Sequence, residues 1–240
     1  MINEILKQFE INNIKINENM AKKFNIYLNM LIEYNKNMNL TAITEPKRII
    51  IEHFVDSCLP YKLFKKNSSV CDVGTGAGFP AIPLKIVRPD LNITMVDSLQ
   101  KRLNFLNDVI NVLKLENITS VHSRAQEFCL NSREKFDYTT ARAVAPLNIL
   151  SELCLPLTKV GGEFIAYKSK NVITEFQEAE KAIKLLGGEL LGNKSNFLIN
   201  KELKTQNSET KERNILIIHK MSTTPKEYPR LKNKIYKNPL

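Results

Sequence analysis

Three glycines at alternate positions, Gly74, Gly76 and Gly78, follow the run Val70-Cys71-Asp72-Val73 and lead straight into Phe79-Pro80 and a helix-like stretch. Strand, tight turn and helix in that order is where α/β proteins hold nucleotides. Glycine permits the close backbone approach that a Cβ forbids. Asp97 ends the next apolar run, Asn92–Val96, nineteen residues after Gly78, where a carboxylate can accept both hydroxyl protons of a ribose. The spacing separates two kinds of nucleotide. A dinucleotide fold needs G-x-G-x-x-G, and counted from Gly74 the third glycine position is Phe79, so a nicotinamide dehydrogenase is disfavoured. The observed Asp72-x-Gly-x-Gly-x-Gly pattern suits an adenosyl ligand without phosphate, S-adenosylmethionine being the common one, with Asp72 near its ammonium end.

The 240 residues accommodate one domain plus a small appendage. Lys and Arg total 35 against 25 Asp and Glu, a net charge of +10, which favours a polyanionic partner, RNA or DNA especially; surface solubility is the competing reading. Cys58, Cys71, Cys129 and Cys154 stand far apart and read as reduced thiols of a cytoplasmic protein. His53, His122 and His219 are scattered, so no metal site is expected. The opening residues are too polar for a signal peptide, and no apolar run approaches the ~20 residues that cross a bilayer.

Ahead of the glycine turn the chain reads as a helical cap over residues 1–64. A short amphipathic helix carries Ile2, Ile5, Leu6 and Phe9. Asn17 caps a second helix with the stripe Met20, Phe24, Tyr27, Leu28 and Leu31, which breaks at the polar stretch Asn35–Thr41. A third helix, with Thr44 as cap, runs from Pro46 to Leu59 and gathers His53, Asp56 and Ser57 on one face.

From Ser69 strands and helices alternate through residues 65–222. Expected strands are Ser69–Val73, Asn92–Asp97, Ile118–His122, Phe136–Ala141 and Gly162–Tyr167, with helices Pro80–Val87, Leu99–Leu115 and Val172–Leu186 and a further helix opening at Pro146. Glu189–Ile199 and Asn214–His219 read as an antiparallel pair around a charged loop, Lys201–Arg213. The sum is a mostly parallel seven-stranded sheet with helices on both faces. Residues 223–240, with Lys226, Arg230, Lys232, Lys234 and Lys237, read as a disordered basic tail.

Ligands of such sheets bind at the carboxyl ends of the strands. Gly74, Asp97, Arg142 and Lys168 are therefore neighbours, and the loop at Ala125 and Gln126 completes the ring beside an adenine. The acceptor is inferred by elimination. Amine methylation uses an Asn/Asp-Pro-Pro-Tyr/Phe run after the fourth strand, where this chain has Thr140-Ala-Arg-Ala-Val-Ala-Pro146. Pyrimidine C5 chemistry uses a Pro-Cys nucleophile, and none occurs. A ring nitrogen such as guanine N7 exposes its lone pair and needs only placement. Arg142, able to pair with guanine O6 or phosphate or to stack on a base, fits that task, and Lys168 and Arg124 are candidates for phosphate contacts.

Asp72-Val-Gly-Thr-Gly-Ala-Gly-Phe-Pro-Ala-Ile-Pro-Leu-Lys-Ile-Val-Arg-Pro89 resembles the RsmG (GidB) family of bacterial rRNA methyltransferases. So do Asn39-Leu-Thr41, His53-Phe-Val-Asp-Ser57, Val96-Asp-Ser-Leu99, Lys101-Arg102, Leu115-Glu-Asn-Ile118, Ser123-Arg124 and Ala141-Arg-Ala143, in order from about Met30 to Lys168. The resemblance implies a Rossmann-like class I S-adenosylmethionine-dependent methyltransferase acting on N7 of one guanosine in 16S rRNA; apart from the resemblance, a monomer is the expected state. It implies donor contacts at Gly74, Phe79, Ala125, Gln126 and Arg142, and makes Asn39 and His53 candidates for the RNA side. Gln126 stands where the family commonly has Glu; the amide keeps an acceptor and adds a donor. Two other readings remain from the residues alone: a methyltransferase of the same fold acting on a protein or small molecule, and a non-catalytic RNA-binding protein that kept the nucleotide fold.

Overall fold

A computed structural model of the chain describes residues 1–168, 172–190, 198–204, 210–231 and 233–240. Its sheet has five parallel strands, β1 (Ser69–Val73), β2 (Asn92–Asp97), β3 (Ile118–His122), β4 (Phe136–Arg142) and β5 (Thr158–Lys168), followed by β6 (Gly188–Glu189), β7 (Leu198–Lys204) and β8 (Thr210–Lys220). A path of seven runs β3-β2-β1-β4-β5-β8-β6, and β7 is an eighth strand paired with β8. The expected antiparallel pair is thus divided. β8 lies antiparallel to β5 on one side and to both β6 and β7 on the other. β7 reaches Lys204 and β8 begins at Thr210, so paired backbone extends into the span expected as loop.

Alternation along the strands feeds two cores, as a period of two requires. Val70, Ile165, Tyr167, Ile215 and Ile217 face one side, under α1 (Ile2–Ile11), α2 (Glu18–Met38), α5 (Ala81–Val87) and α6 (Gln100–Leu113). Cys71, Val73, Phe164, Ala166, Leu216 and Ile218 face the other, under α7 (Ala125–Ser132), α8 (Leu147–Cys154) and α9 (Val172–Leu185). The N-terminal helices share the first core with the sheet: Tyr27 of α2 stacks on Phe54 and sends its hydroxyl to the carbonyl of Ala77 inside the glycine turn.

Three local expectations change. α2 continues through Asn35–Met38 and stops at Asn39, whose φ of 48° is left-handed, so the polar stretch ends the helix four residues later than its composition suggests. The third helix is α3 (Pro46–Ile49), a wide π turn over Ile50–Val55, then α4 (Asp56–Cys58). Its cap is Glu45, whose carboxylate accepts from the amides of Lys47 and Arg48, in place of Thr44.

The largest correction concerns the described residues of 223–240, which pack on the second core instead of lying disordered. Arg133 donates to the carbonyls of Thr224, Pro225 and Tyr228. Arg230 forks onto the fully buried carboxylate of Glu152 at 2.6 Å, and its amide donates there too. Ile235, in a single turn α10 (Lys234–Lys237), is fully buried. Of the charges that suggested a solvated tail, Arg230 is ion-paired, and one isoleucine supplies an anchor that periodicity could not show. Among the described residues no helix is long and apolar enough to cross a membrane.

Candidate active site

The glycine turn is tied to its neighbours before any ligand is considered. The amides of Gly74 and Thr75 donate to Val96 O at the end of β2, and Gly76 N donates to Asp97 Oδ2 at 2.9 Å. Asp97 Oδ1 accepts from Leu99 N at 2.9 Å, and Arg102 approaches Oδ2 at 3.4 Å. A carboxylate has about four acceptor positions, so Asp97 can serve the turn and still receive ribose hydroxyls.

Gly74 and Gly78 are glycine for different reasons. A Cβ on Gly74 would lie 2.8 Å from Val144 Cγ2, where the loop after β4 closes over the turn. A Cβ on Gly78 would meet Ile82, Leu106 and the Tyr27 hydroxyl at 2.7–3.0 Å, on the buried side of the turn. Gly78 therefore packs the helices, whereas Gly74 lines a cavity that neither Gly76 nor Gly78 borders.

That cavity, about 270 Å³, is bounded by Gly74, Asp97, Ser98, Ser123, Arg124, Ala125, Gln126, Ala143, Val144 and Tyr236 among others. Ala125 and Gln126 open α7 and are not in a loop; Arg124 is its exposed N-cap residue, at the cavity rim. Gln126 is buried, and its Nε2 has no hydrogen-bond partner among the described residues. A buried amide donor left unpaired is costly unless a ligand receives it.

Arg142 does not line this first cavity. Ending β4, it turns into a second one of about 410 Å³, bounded by Ile43, Glu52, His53, Asp56, Arg142, Ala143, Tyr167, Lys168, Glu175, Arg213 and Ile215. Its guanidinium lies 4.9 Å over the Phe79 ring, donates to Asp56 Oδ2 at 3.0 Å and meets His53 Nδ1 at 3.1 Å. Phe79, expected at the donor, is instead buried between Tyr27, Phe54, His53 and Arg142. Ala143 borders both cavities, with φ of 57° directing the chain from the strand into the loop over Gly74.

Electrostatics in the second cavity are closed on themselves. Asp56 holds Arg142 on one oxygen and Arg213, at 2.9 Å, on the other; burial raises its carboxyl while the two guanidiniums oppose that rise. His53 is pushed down to about 3 by burial and by Arg142, so its ring is neutral. A guanidinium can only donate, so Nδ1 carries the lone pair and the ring proton sits on Nε2, 2.7 Å from Thr41 Oγ1. Lys168, expected at phosphate, is tied to Glu175 at 2.6 Å and to Ala145 O at 3.1 Å. Asp72, expected near an ammonium group, is buried under the turn, receives the Thr140 hydroxyl and is pushed up to about 6 by burial. Asn39 is exposed and lines neither cavity.

Sequence reasoning left three residues without a role here. Asp56 stood in the right helical cluster but had no visible partner. Arg213 sat in the expected loop, yet the antiparallel register that sets Asn214 opposite Lys168 brings residue 213 to the same end of the sheet. Tyr236 carried no signal at all.

The sheet order and the cleft at the carboxyl ends of β1, β2 and β4 define the fold class of S-adenosylmethionine-dependent methyltransferases. A SAM-dependent O-methyltransferase from Thermotoga maritima shares the fold at a TM-score of 0.52, covering 82% of this chain and 73% of that one at 16% identity. The family model of rRNA small subunit methyltransferase G (GidB) matches residues 20–210. Ribosomal RNA small subunit methyltransferase G of Desulforamulus reducens is 49% identical over 220 residues, 90% of this chain and 88% of that protein. Its counterpart in Lachnoclostridium phytofermentans is 48% identical over 229 residues, 94% and 91% of the two chains. The chain belongs to the rRNA small subunit methyltransferase G family.

Proposed function

We propose that this protein transfers the methyl group of S-adenosyl-L-methionine to N7 of one guanosine in 16S rRNA, within the small ribosomal subunit, as a monomeric cytoplasmic enzyme. The first cavity fits the donor's adenosyl part: Asp97 is oriented by backbone amides for a ribose, and the unpaired Gln126 amide is matched to the alternating donors and acceptors of an adenine edge. When bound, the donor supplies an electrophilic methyl on a sulfonium. Gly74, Asp97, Ala125 and Gln126 hold it, and Arg124 on the rim is placed for an RNA phosphate.

The observation that carries the acceptor assignment is that each carboxylate and the imidazole named in the second cavity already has a cationic or donor partner. His53 is neutral, with Nδ1 facing a guanidinium; Asp56 is clamped by two arginines; Glu175 accepts from Lys168 and from Leu147 N; Glu52 pairs with Arg48. An amine or hydroxyl acceptor loses a proton on methylation and favours a free base. Guanine N7 forms its new bond with an existing lone pair and releases no proton, so these residues need only present its edge past Ala143. Arg142, stacked on Phe79 and oriented by Asp56, offers donors to O6 or phosphate without covering N7.

The test is to incubate enzyme and labelled donor with 16S rRNA and with intact small subunits, then cleave the RNA chemically at N7-methylguanosine. Label coinciding with one cleavage site supports the proposal. Label on any other atom, or on no RNA, overturns it.

A further inference from the structure

Tyr236 lines the first cavity although it lies more than a hundred residues after Gln126 in sequence, in a segment that sequence alone assigns no function. Its helix, α10, is one turn long and cannot hold its shape without tertiary support. That support is extensive. Arg133 fixes the backbone at Thr224, Pro225 and Tyr228, and Glu152 fixes Arg230. Ile235 is buried in the core that holds Leu150 and Leu153, and Asn148 donates to Leu240 O at 3.3 Å. Yet Tyr236 itself remains half exposed, at 49%, an aromatic ring held at a cavity mouth by its buried neighbour.

A purine needs two things from a pocket: hydrogen bonds at its edge and a flat surface at its face. Gln126, buried with an unpaired amide donor, meets the first requirement. Among the residues bounding the cavity only Tyr236 is aromatic. We propose that Tyr236 is a donor-binding residue whose ring covers the adenine, which makes the 223–240 segment a structural part of the donor site. The inference rests on reading the first cavity as the adenosyl pocket and adds a wall to it from the far end of the chain. The ring carries the effect and the hydroxyl does not, so phenylalanine substitutes for it.

The chain contains no tryptophan, so a Tyr236→Trp variant carries a single indole reporter. Titrating it with S-adenosylhomocysteine, and separately with adenosine, quenches the indole emission in both cases if the ring covers the adenine. Calorimetry on Tyr236→Ala gives an affinity about tenfold weaker for both ligands, as loss of one base–aromatic stack requires, and Tyr236→Phe binds as the parent does. The apo melting temperature of Tyr236→Ala separates lost stacking from lost folding, and Tyr236→Phe is the folded control if it falls. Parent-like binding of both ligands by Tyr236→Ala, unchanged indole emission while calorimetry shows binding, or weakening for S-adenosylhomocysteine but not adenosine would overturn the inference. No binding by the parent protein would instead remove the adenosyl-pocket reading beneath it.

Discussion

Arg142 Nη1 donates to Asp56 Oδ2 at 3.0 Å, joining the end of β4 to the helix that follows α3. Arg213 takes the other oxygen of the same carboxylate. One buried carboxylate thus holds two guanidiniums at the wall of the second cavity, while Gly74, Asp97 and Gln126, which line the first cavity, lie on the other side of Ala143. In the proposed reading, binding of the donor and placement of the acceptor are divided between different side chains.

That division predicts a split phenotype for Arg142. Arg142→Ala is expected to lower single-turnover methyl transfer by about a hundredfold, the scale of losing one electrostatic positioning group. S-adenosylhomocysteine affinity, measured by calorimetry, stays near the parent value because Arg142 does not border the first cavity. Equal losses in both measurements would place Arg142 at the donor.

Gly78 and Gly74 separate in the same way. Gly78→Ala forces a Cβ to within 2.7 Å of Ile82 at a φ of 97°, and is expected to cost about 3 kcal/mol of unfolding free energy in urea. Protein that remains folded binds the donor normally. Gly74→Ala drives Val144 away from the turn and weakens donor binding directly.

His53 sets a pH dependence. Its folded value of about 3 lies below the ordinary 6.5, so its contribution is intact above pH 6.5. Below that the unfolded chain takes up a proton that the folded chain refuses, and stability falls by ~1.4 kcal/mol per pH unit towards 3. Asp72, raised to about 6, acts with opposite sign: the folded chain protonates it first, and stability rises as pH falls from 6 towards 3.8. Unfolding titrations of the parent and His53→Gln between pH 7 and pH 4 isolate the first effect. The parent should lose stability relative to the variant as pH falls from 6.5 to 4, and a constant difference there would contradict a buried neutral imidazole.

The packing of the described residues of 223–240 depends on Glu152. Arg230→Ala strands a fully buried carboxylate and is expected to destabilise the fold by about 3 kcal/mol, far above the effect of removing a surface charge. A urea midpoint unchanged from the parent would mean that the segment does not dock.

Much of the site was legible because strand ends can be read from apolar runs. Gly74 and Asp97 fall at the strand ends where alternating strands and helices put them, and β2 and β3 keep their expected bounds; Ala125 and Gln126 reach the same cavity from the first turn of α7, and Arg142 ends β4 but turns into the second cavity. What the sequence concealed depends on pairing across long separations. Asp56 and Arg213 are 157 residues apart, and neither carries a local pattern that names the other. Lys168 reads as an available cation until Glu175 is seen beside it. The same limit explains the described residues of 223–240: their apolar residues form no periodic face, and only the hydrophobic face of α8 shows why the segment stays down.

The arrangement is tested most directly by a crystal structure of the enzyme with S-adenosylhomocysteine. The account predicts the adenine beside Gln126, the ribose hydroxyls on Asp97, and the sulfur at the Ala143 partition with the second cavity open in front of it. A ligand seated between His53, Arg142 and Lys168, with the first cavity closed by the protein's own side chains, would contradict it.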